Sequence, residues 1–547
     1  MFYALGALLI ALPFLTAATW RVRIGTALLV YLVTLGLFLL VLPPLDLWGS
    51  LFLFAFGLLA SLAVDVTAVA QTKRLRWRPM ALKVLLALGI YLVALVSSAE
   101  PFHAAAYAHL GNIQTVDAER PEIALNQIVL VPESVARSRA AQSIGQVGAQ
   151  CSLGKLFLSR SANDFVWAGV LEPMSFFKRD AACGYVTLSA TDPTRPATFH
   201  SMHLAATPEG FFGRRLDRVV RSQDPTALIE EASFELDETG HPYWAVSLGE
   251  RTVGVMAQGL TIDRVLLIDA QSGAAKEYPL AATPEWVDQV IPAAIAAQRV
   301  TDWGALSGGW WNTVTSQTGV RQLTDATSGT DGMLLVSDEK GRLQWFSGVT
   351  SPSATDASLI GYVMIDARTN AGRFVPLDGL GTEDAAQEAA KAAFKAESFT
   401  PGYPLLYRLF GEETWIVPML AKGGDGVTNT FTGVVLVNGQ ATAVGRGKSL
   451  QEAVNAYRTA LTRQAGANLS GGAEMQTVKA KVERIGSFMQ EGQTTFVLQL
   501  TGQSRLFLAP AGVSNQLAVT AAGDQVEVTF VDSGAADPIL RSFKRLP

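Results

Sequence analysis

Side chains able to move protons, attack electrophiles or hold metals are few in this chain. There are five histidines, His103, His109, His200, His203 and His241, and two cysteines, Cys151 and Cys183. His200-Ser-Met-His203 would bring two imidazoles together on a helix, the beginning of a zinc site. Zinc needs a third protein ligand, and none stands nearby in sequence. Ser152-Leu-Gly-Lys155 and Ser175-Phe-Phe-Lys178 both have the Ser-x-x-Lys spacing of a lysine-activated nucleophile, but the Ser-Asp-Asn and Lys-Thr-Gly elements that accompany it are missing. Gly304-Ala-Leu-Ser-Gly-Gly309 departs from the Gly-x-Ser-x-Gly elbow and reads as a flexible loop before Trp310-Trp311. Gly445-Arg-Gly-Lys-Ser449 ends like a phosphate loop, yet position 442, which should be the first glycine, is Thr. It reads as a turn feeding a helix N-cap. The expectation is no catalytic, cofactor-binding or metal residue and no cofactor.

The elements around these residues divide sharply. Of 547 residues, 49% are hydrophobic and 17% charged, against about 25% charged in ordinary soluble chains. The apolar excess lies before residue 98, in four stretches near 2–20, 25–42, 51–70 and 80–97, each long enough to cross a bilayer. The first lacks the basic start of a cleavable signal. Arg21 and Arg23 separate stretches one and two, and Lys73, Arg74, Arg76 and Arg78 separate three and four. The connection at 43–50 has no basic residue. The positive-inside rule then places both basic loops in the cytoplasm, and the N-terminus and everything after Ser98 outside it. Lys83 can snorkel to the cytoplasmic face. Asp65, the acidic residue within a span, reads as an interface or pairing group near the same end. Residues 1–98 carry +5, and the remainder carries −10. So acidic a body repels nucleic-acid backbone and anionic headgroups.

Cys151 and Cys183 both fall in the outer portion, where a lone pair reads as a disulfide. Residues 99–150 read as a juxtamembrane helix, linker, strand at 128–131, and helix from Pro132 to about Gly145.

Residues 151–465 repeat. Four segments share a strand that contains a tryptophan, those starting Phe165-Val-Trp167, Pro242-Tyr-Trp244, Leu343-Gln-Trp345 and Glu413-Thr-Trp415. A second strand follows, ending in a turn at Asp192, Asp269, Asp366 or Asn438, respectively 25, 25, 21 and 23 residues after the Trp. Two copies share an Asp-Glu-x-Gly hairpin turn, closed by Gly240 and Gly341. Helices are expected at Thr283-Pro-Glu-Trp-Val-Asp-Gln-Val-Ile, at Thr382 onward, and at Ser449 onward, where Ser449 and Glu452 form a capping box. Trp244, Trp345 and Trp415 form a stripe, either core or a ligand platform. One such unit buries too little surface to stand alone, so the copies must pack together.

The element Val-x-x-Ile-Asp-Ala-x-(Ser/Thr)-(Gly/Asn), with a Trp strand upstream, resembles the PepSY-type module of bacterial extracytoplasmic proteins. The fourth copy departs from it at Asn438-Gly439. The resemblance implies an envelope-facing binding or regulatory module with a helix packed on an antiparallel sheet.

Residues 473–547, after the linker at 466–472, contain five β-like runs in an order that suits a small OB-like barrel. Lys479, Lys481, Arg484, Arg505 and Phe507 could supply a basic and aromatic patch there.

The expected architecture is therefore a four-span membrane domain at 1–98 and an extracytoplasmic α+β body of tandem sheet/helix modules ending in an OB-like barrel. The expected function is a non-catalytic scaffold, sensor or receptor in the inner or plasma membrane, binding an envelope protein or peptide, with the lipid bilayer as its other partner. Homo-oligomerisation is left open. The alternatives are a membrane-anchored hydrolase and an accessory subunit of an envelope transport or export complex.

Overall fold

The computed structural model describes residues 2–16, 20–72, 77–117, 121–146, 151–161, 164–174, 183–324, 332–353, 358–423, 429–464, 475–490, 493–531, 538 and 540–546. They form two compact units. The first comprises 1–119, 124–382 and 422–430, the second the remainder.

The first unit begins with apolar helices: α1 (Phe2–Ala11), α2 (Trp20–Val41), α3 (Leu47–Thr72) and α4 (Trp77–Ser98). Among the described residues, three of them, not four, have the length and hydropathy of a membrane span: Arg23–Val41, Leu47–Thr67 and Trp77–Ser98. The first stretch stops short because Pro13 has no N–H and its ring crowds the carbonyl one turn back. The α-helix ends at Ala11 and a 3-10 turn (Leu12–Thr16) follows. Small residues let α1 and α3 approach closely: a Cβ at Gly57 would lie 2.6 Å from the Ile10 carbonyl oxygen.

The connection between α2 and α3 touches the rest of the unit. Leu45 N donates to Pro225 O at 3.1 Å, and Arg251 Nε lies 3.0 Å from Asp46 Oδ2. Arg218 donates to the Leu39 carbonyl at 2.6 Å. The end of α4 is seated likewise, because Ser98 Oγ accepts from Val255 N at 2.8 Å. The helix directions therefore put Arg21, Arg23 and Arg78 at the opposite end.

The chain continues through α5 (Glu100–His109), β1 (Ile113–Thr115) and α6 (Glu133–Ser143) into a meander of β2 (Cys151–Ser161), β3 (Asp164–Pro173), β4 (Tyr185–Ser189) and β5 (Thr198–His200). After α7 (Leu216–Gln223) comes a second meander of β6 (Leu228–Leu236), β7 (Pro242–Arg251), β8 (Leu260–Asp269) and β9 (Ala275–Pro279). After α8 (Ala293–Leu306) and α9 (Trp310–Val314) comes a third sheet of β10 (Gln322–Leu323), β11 (Leu334–Ser337), β12 (Leu343–Thr350), β13 (Ser358–Asp366) and β14 (Gly372–Gly381). Its outer edge is extended by β1, parallel to β14.

The second meander is covered on both faces. Phe234, Trp244, Val246 and Ile268 pack on Phe157, Ala168, Val170 and Tyr185 of the first. Ala245, Val265 and Leu267 join a core with Val300, Trp345 and Val363. The expected strand at 128–131 is instead a buried irregular segment, whose Val131 N donates to Ala190 O at 2.9 Å, outside any ladder. The expected helix at 283–291 does not form. Its backbone is engaged elsewhere: Val290 N and Ile291 N both donate to Ala367 O, and Gln289 N donates to Glu235 Oε1 at 3.0 Å.

The hairpin turns share one chemistry. Asp237 Oδ1 accepts from Thr239 N and His241 N, each at 2.9 Å. Asp338 Oδ1 accepts from Lys340 N at 2.9 Å and Arg342 N at 2.8 Å. Gly240 and Gly341 close these turns at φ 83° and 71°, the left-handed region in which a Cβ is strained.

In the second unit, α10 (Glu383–Ala393) precedes a sheet built from β15 (Thr400–Pro401), β16 (Leu405–Leu409), β17 (Glu412–Lys422), β18 (Asn429–Asn438) and β19 (Val444–Gly447), and α11 (Leu450–Gln464) follows. The last sheet comprises β20 (Met475–Gln490), β21 (Gln493–Leu500), β22 (Leu506–Pro510), β23 (Gln525–Val531) and β24 (Leu540–Arg545), in the order β22-β21-β20-β23-β24. Among the described residues this sheet does not close into a barrel. β22 and β24 share no ladder, and Leu508 N donates to Pro538 O at 3.0 Å.

Candidate functional site

The four repeat tryptophans occupy one register. Each central-strand Trp faces an apolar residue on the strand before it, Leu158 for Trp167, Phe234 for Trp244, Leu335 for Trp345 and Leu406 for Trp415. The strand after it contributes Leu188 to Trp167, Ile268 to Trp244 and Ile365 to Trp345. Trp244, Trp345 and Trp415 are buried. The indole N–H groups of Trp167, Trp244 and Trp345 donate to the carbonyls of Val131, Ala206 and Ile291. No ring face of the stripe is open to a ligand.

The sequence candidates are dispersed. Cys151 and Cys183 are bonded to each other, with Cα atoms 5.9 Å apart. His200 ends a strand rather than lying on a helix. It stacks on Tyr185 with ring centroids 4.5 Å apart, its Nε2 lies 2.9 Å from Thr187 Oγ1, and burial lowers its pKa. Among the described residues no group of three or more His, Cys, Asp or Glu could hold a metal. Ser152 is exposed, and Lys155 pairs with Glu231 instead. Ser175 and Lys178 lie outside the described residues. Gly304 is not in a flexible loop but inside α8, where a Cβ would meet the Arg321 carbonyl oxygen at 2.3 Å. At Ser449, the Glu452 N–H donates to Ser449 Oγ at 3.3 Å, and the Lys448 N–H to Glu452 Oε2 at 2.9 Å. That is capping geometry, with no phosphate cradle. The aromatic member of the expected C-terminal patch, Phe507, is fully buried in its sheet's core. Lys479 pairs with Glu527 at 2.8 Å, and the Arg505 guanidinium lies over Phe530. Lys83 does not snorkel: it meets Asp65 at 2.7 Å, with both side chains buried between α3 and α4.

The structure instead assembles an acid pair. Glu235 on β6 has no exposed surface and Asp288, on the extended segment, has 2%. Glu235 Oε1 accepts from Gln289 N, while its Oε2 is buried without a hydrogen-bond partner. Asp288 Oδ2 accepts from Arg160 N at 2.6 Å, and the Arg160 guanidinium stands 3.8 Å from its other oxygen. Ser233 Oγ donates to Gln289 O at 2.9 Å, and Ser159 Oγ accepts from Leu236 N at 3.2 Å. Burial, then the Asp288 charge, pushes the Glu235 pKa well up. Burial raises Asp288 to about 6 against the pull of Arg160 and Arg368. Desolvation disfavours the charged carboxylate, and for both groups it outweighs the hydrogen bonds and cations that favour it. The pair joins β2, β6 and the 286–291 segment as a buried latch. Ser233-Phe-Glu-Leu236 alternates like a half-exposed strand, so nothing in the local pattern marks Glu235 as buried.

A second polar cluster follows α4. Glu100 Oε1 accepts from Gln258 Nε2 at 3.0 Å, and Asp302 Oδ1 accepts from Gln298 and Gln258 at 2.8 and 3.2 Å. Arg299, fully buried, donates to the carbonyls of Gln258 and Leu260. Burial raises the Asp302 pKa and lowers that of Arg299.

No family model matches the chain, and no curated protein matches it. Among solved structures, an exo-1,5-alpha-L-arabinanase from a bovine ruminal metagenomic library aligns at 12% identity, covering 71% of this chain and 96% of its own, with a TM-score of 0.17. At that score the match carries no argument about fold or activity.

Proposed function

We propose that this chain is a membrane-anchored protein whose body lies on the extracytoplasmic side and acts as a non-catalytic binding scaffold or sensor for an envelope protein or peptide. The observation that carries this reading is the fate of the reactive side chains. The tryptophans, His200, Ser449 and the acid pair are engaged in cores, stacks, caps and latches, and the hydroxyl beside His200, Thr187 Oγ1 at 2.9 Å, pairs with a ring already stacked on Tyr185. The orientation rests on charge. Arg21, Arg23 and Arg78 lie at the end of the helices away from the body, and the positive-inside rule gives that end to the cytoplasm.

Three finer features belong to the same proposal. The first apolar stretch, ten α-helical residues followed by five in a 3-10 turn, extends roughly 25 Å and serves as a short fourth span. The strand order β22-β21-β20-β23-β24, with a 16-residue strand paired to both neighbours, supports an OB-like module. The recurring Trp strands and Asp turns support PepSY-like modules.

Fusions of an extracytoplasmic-only reporter after Ser98 and after Pro547 should both be active, and cytoplasmic reporters at the same points silent. The opposite pattern would overturn the orientation. A defined reaction abolished by a substitution at His200, His203 or Ser152 in a folded variant would replace the scaffold with the hydrolase.

A further inference from the structure

Outside the apolar helices, the described part of the first unit exposes only five large hydrophobic side chains: Phe102, Met174, Met256, Trp311 and Val314. Four of them gather at the body end of α4. Phe102 is 70% exposed and sits one turn beyond Ser98. Met256, 45% exposed, has its backbone N–H 3.3 Å from Ser98 Oγ. The loop carrying it lies directly on the helix end, where a Cβ at Gly254 would fall 2.6 Å from the Ser97 carbonyl oxygen. Val253 of that loop packs with Tyr107, Leu306 and Trp310, and Trp310 meets Trp311 edge-on with ring centroids 4.9 Å apart. Trp311 and Val314, 72% and 62% exposed, are three residues apart and so share one face of α9. Singly exposed hydrophobic residues need no explanation, but a group gathered at one place does.

We propose that this base of the body, Phe102, Met256, Trp311 and Val314, seats in the lipid interface of the leaflet from which α4 emerges. The inference rests on the membrane reading above and goes beyond it: the body is held against the bilayer by its own surface as well as by its helices. Aromatic rings favour the headgroup level, where an apolar body and a polar edge are both satisfied. The patch is continuous with the end of a span, which selects lipid over a soluble partner as its occupant. The pose also orients the second meander. Pro225 and Arg251, at one end of β6 and β7, lie on the α2–α3 connection, so the hairpin tip at 237–240 stands roughly 30 Å away at strand rise.

The test uses the full chain in vesicles of zwitterionic phosphatidylcholine. The described residues contain no free cysteine, so single cysteines are introduced as Trp311→Cys, Phe102→Cys, Glu238→Cys and Leu92→Cys and given a fluorescent label. Leu92 lies on the exposed face of α4 and Glu238 at the hairpin tip. Quenching is measured with aqueous iodide and with lipids spin-labelled near the headgroup or deep in the chain. Labels at 311 and 102 should lose most of their iodide quenching and respond most to the shallow lipid label. Glu238 should stay iodide-accessible and Leu92 should respond to the deep label. Labels at 311 and 102 as open to iodide as that at 238, with 92 deep, would overturn the proposal, leave the membrane reading standing and give the patch to a protein partner. A label at 92 open to iodide would overturn both.

Discussion

Trp244→Ala tests whether the repeat tryptophans hold the body together. Trp244 is 1% exposed, edge-on to Phe157 and Phe234 with ring centroids 6.2 and 5.0 Å away, and its indole donates to Ala206 O at 3.0 Å. Truncating a buried aromatic costs about 3–5 kcal/mol, because packing is lost and the cavity relaxes only in part. The orphaned Ala206 carbonyl adds about 1 kcal/mol. The sum, about 4–6 kcal/mol, is comparable to the whole stability of many domains. Native-state hydrogen exchange of the full chain in detergent reads it locally. At about tenfold per 1.4 kcal/mol, β7 and β8 amides protected by opening of the whole meander should exchange about a thousandfold to ten-thousandfold faster, or the variant should fail to fold. Trp244→Phe keeps a ring and loses the donor, so it should fall between. Exchange of β7 amides within about tenfold of wild type in Trp244→Ala would refute the core assignment, and loss of partner capture with stability intact would restore the ligand platform.

The acid pair gives a pH signature. Asp288 has a folded pKa near 6, raised above its ordinary 3.8, so its contribution to stability is full below about pH 4 and is lost as pH rises through 6, a change of the order of 3 kcal/mol. Asp288→Asn removes that dependence and should gain stability relative to wild type between pH 4 and 7; a flat difference in denaturant midpoints would refute the latch. Reducing the Cys151–Cys183 bond, which spans 32 residues, should cost roughly 3–4 kcal/mol, and non-reducing mass spectrometry of the native protein should show one linked peptide pair. Gly254→Ala places a Cβ against the end of α4 at φ 63°, so limited proteolysis near 253–256 should accelerate; unchanged cleavage would argue against close seating of that loop.

Local signals alone predicted many elements. Long apolar runs make helices because nothing else satisfies the backbone in so apolar a stretch, and the same chemistry predicts the spans α2, α3 and α4. The Asp-Glu-x-Gly turns were legible because an Asp carboxylate and a left-handed Gly complete a hairpin within five residues. The Ser449–Glu452 cap was equally local. What stayed hidden depends on partners far along the chain. Pro13 marks a break in the first stretch but not how much helix survives around it. The 283–291 segment has a strong helix start, yet Ala367, Glu235 and Trp345, tens of residues away, claim its backbone groups. Lys83 meets Asp65 across two helices, where sequence distance suggested a snorkelling cation. Glu235 looks solvent-facing because alternation reports only that a strand has two faces. Whether its polar face is wet is decided when the 286–291 segment and β2 close over it, and desolvation by those distant elements raises an ordinary carboxyl's pKa well above its usual value.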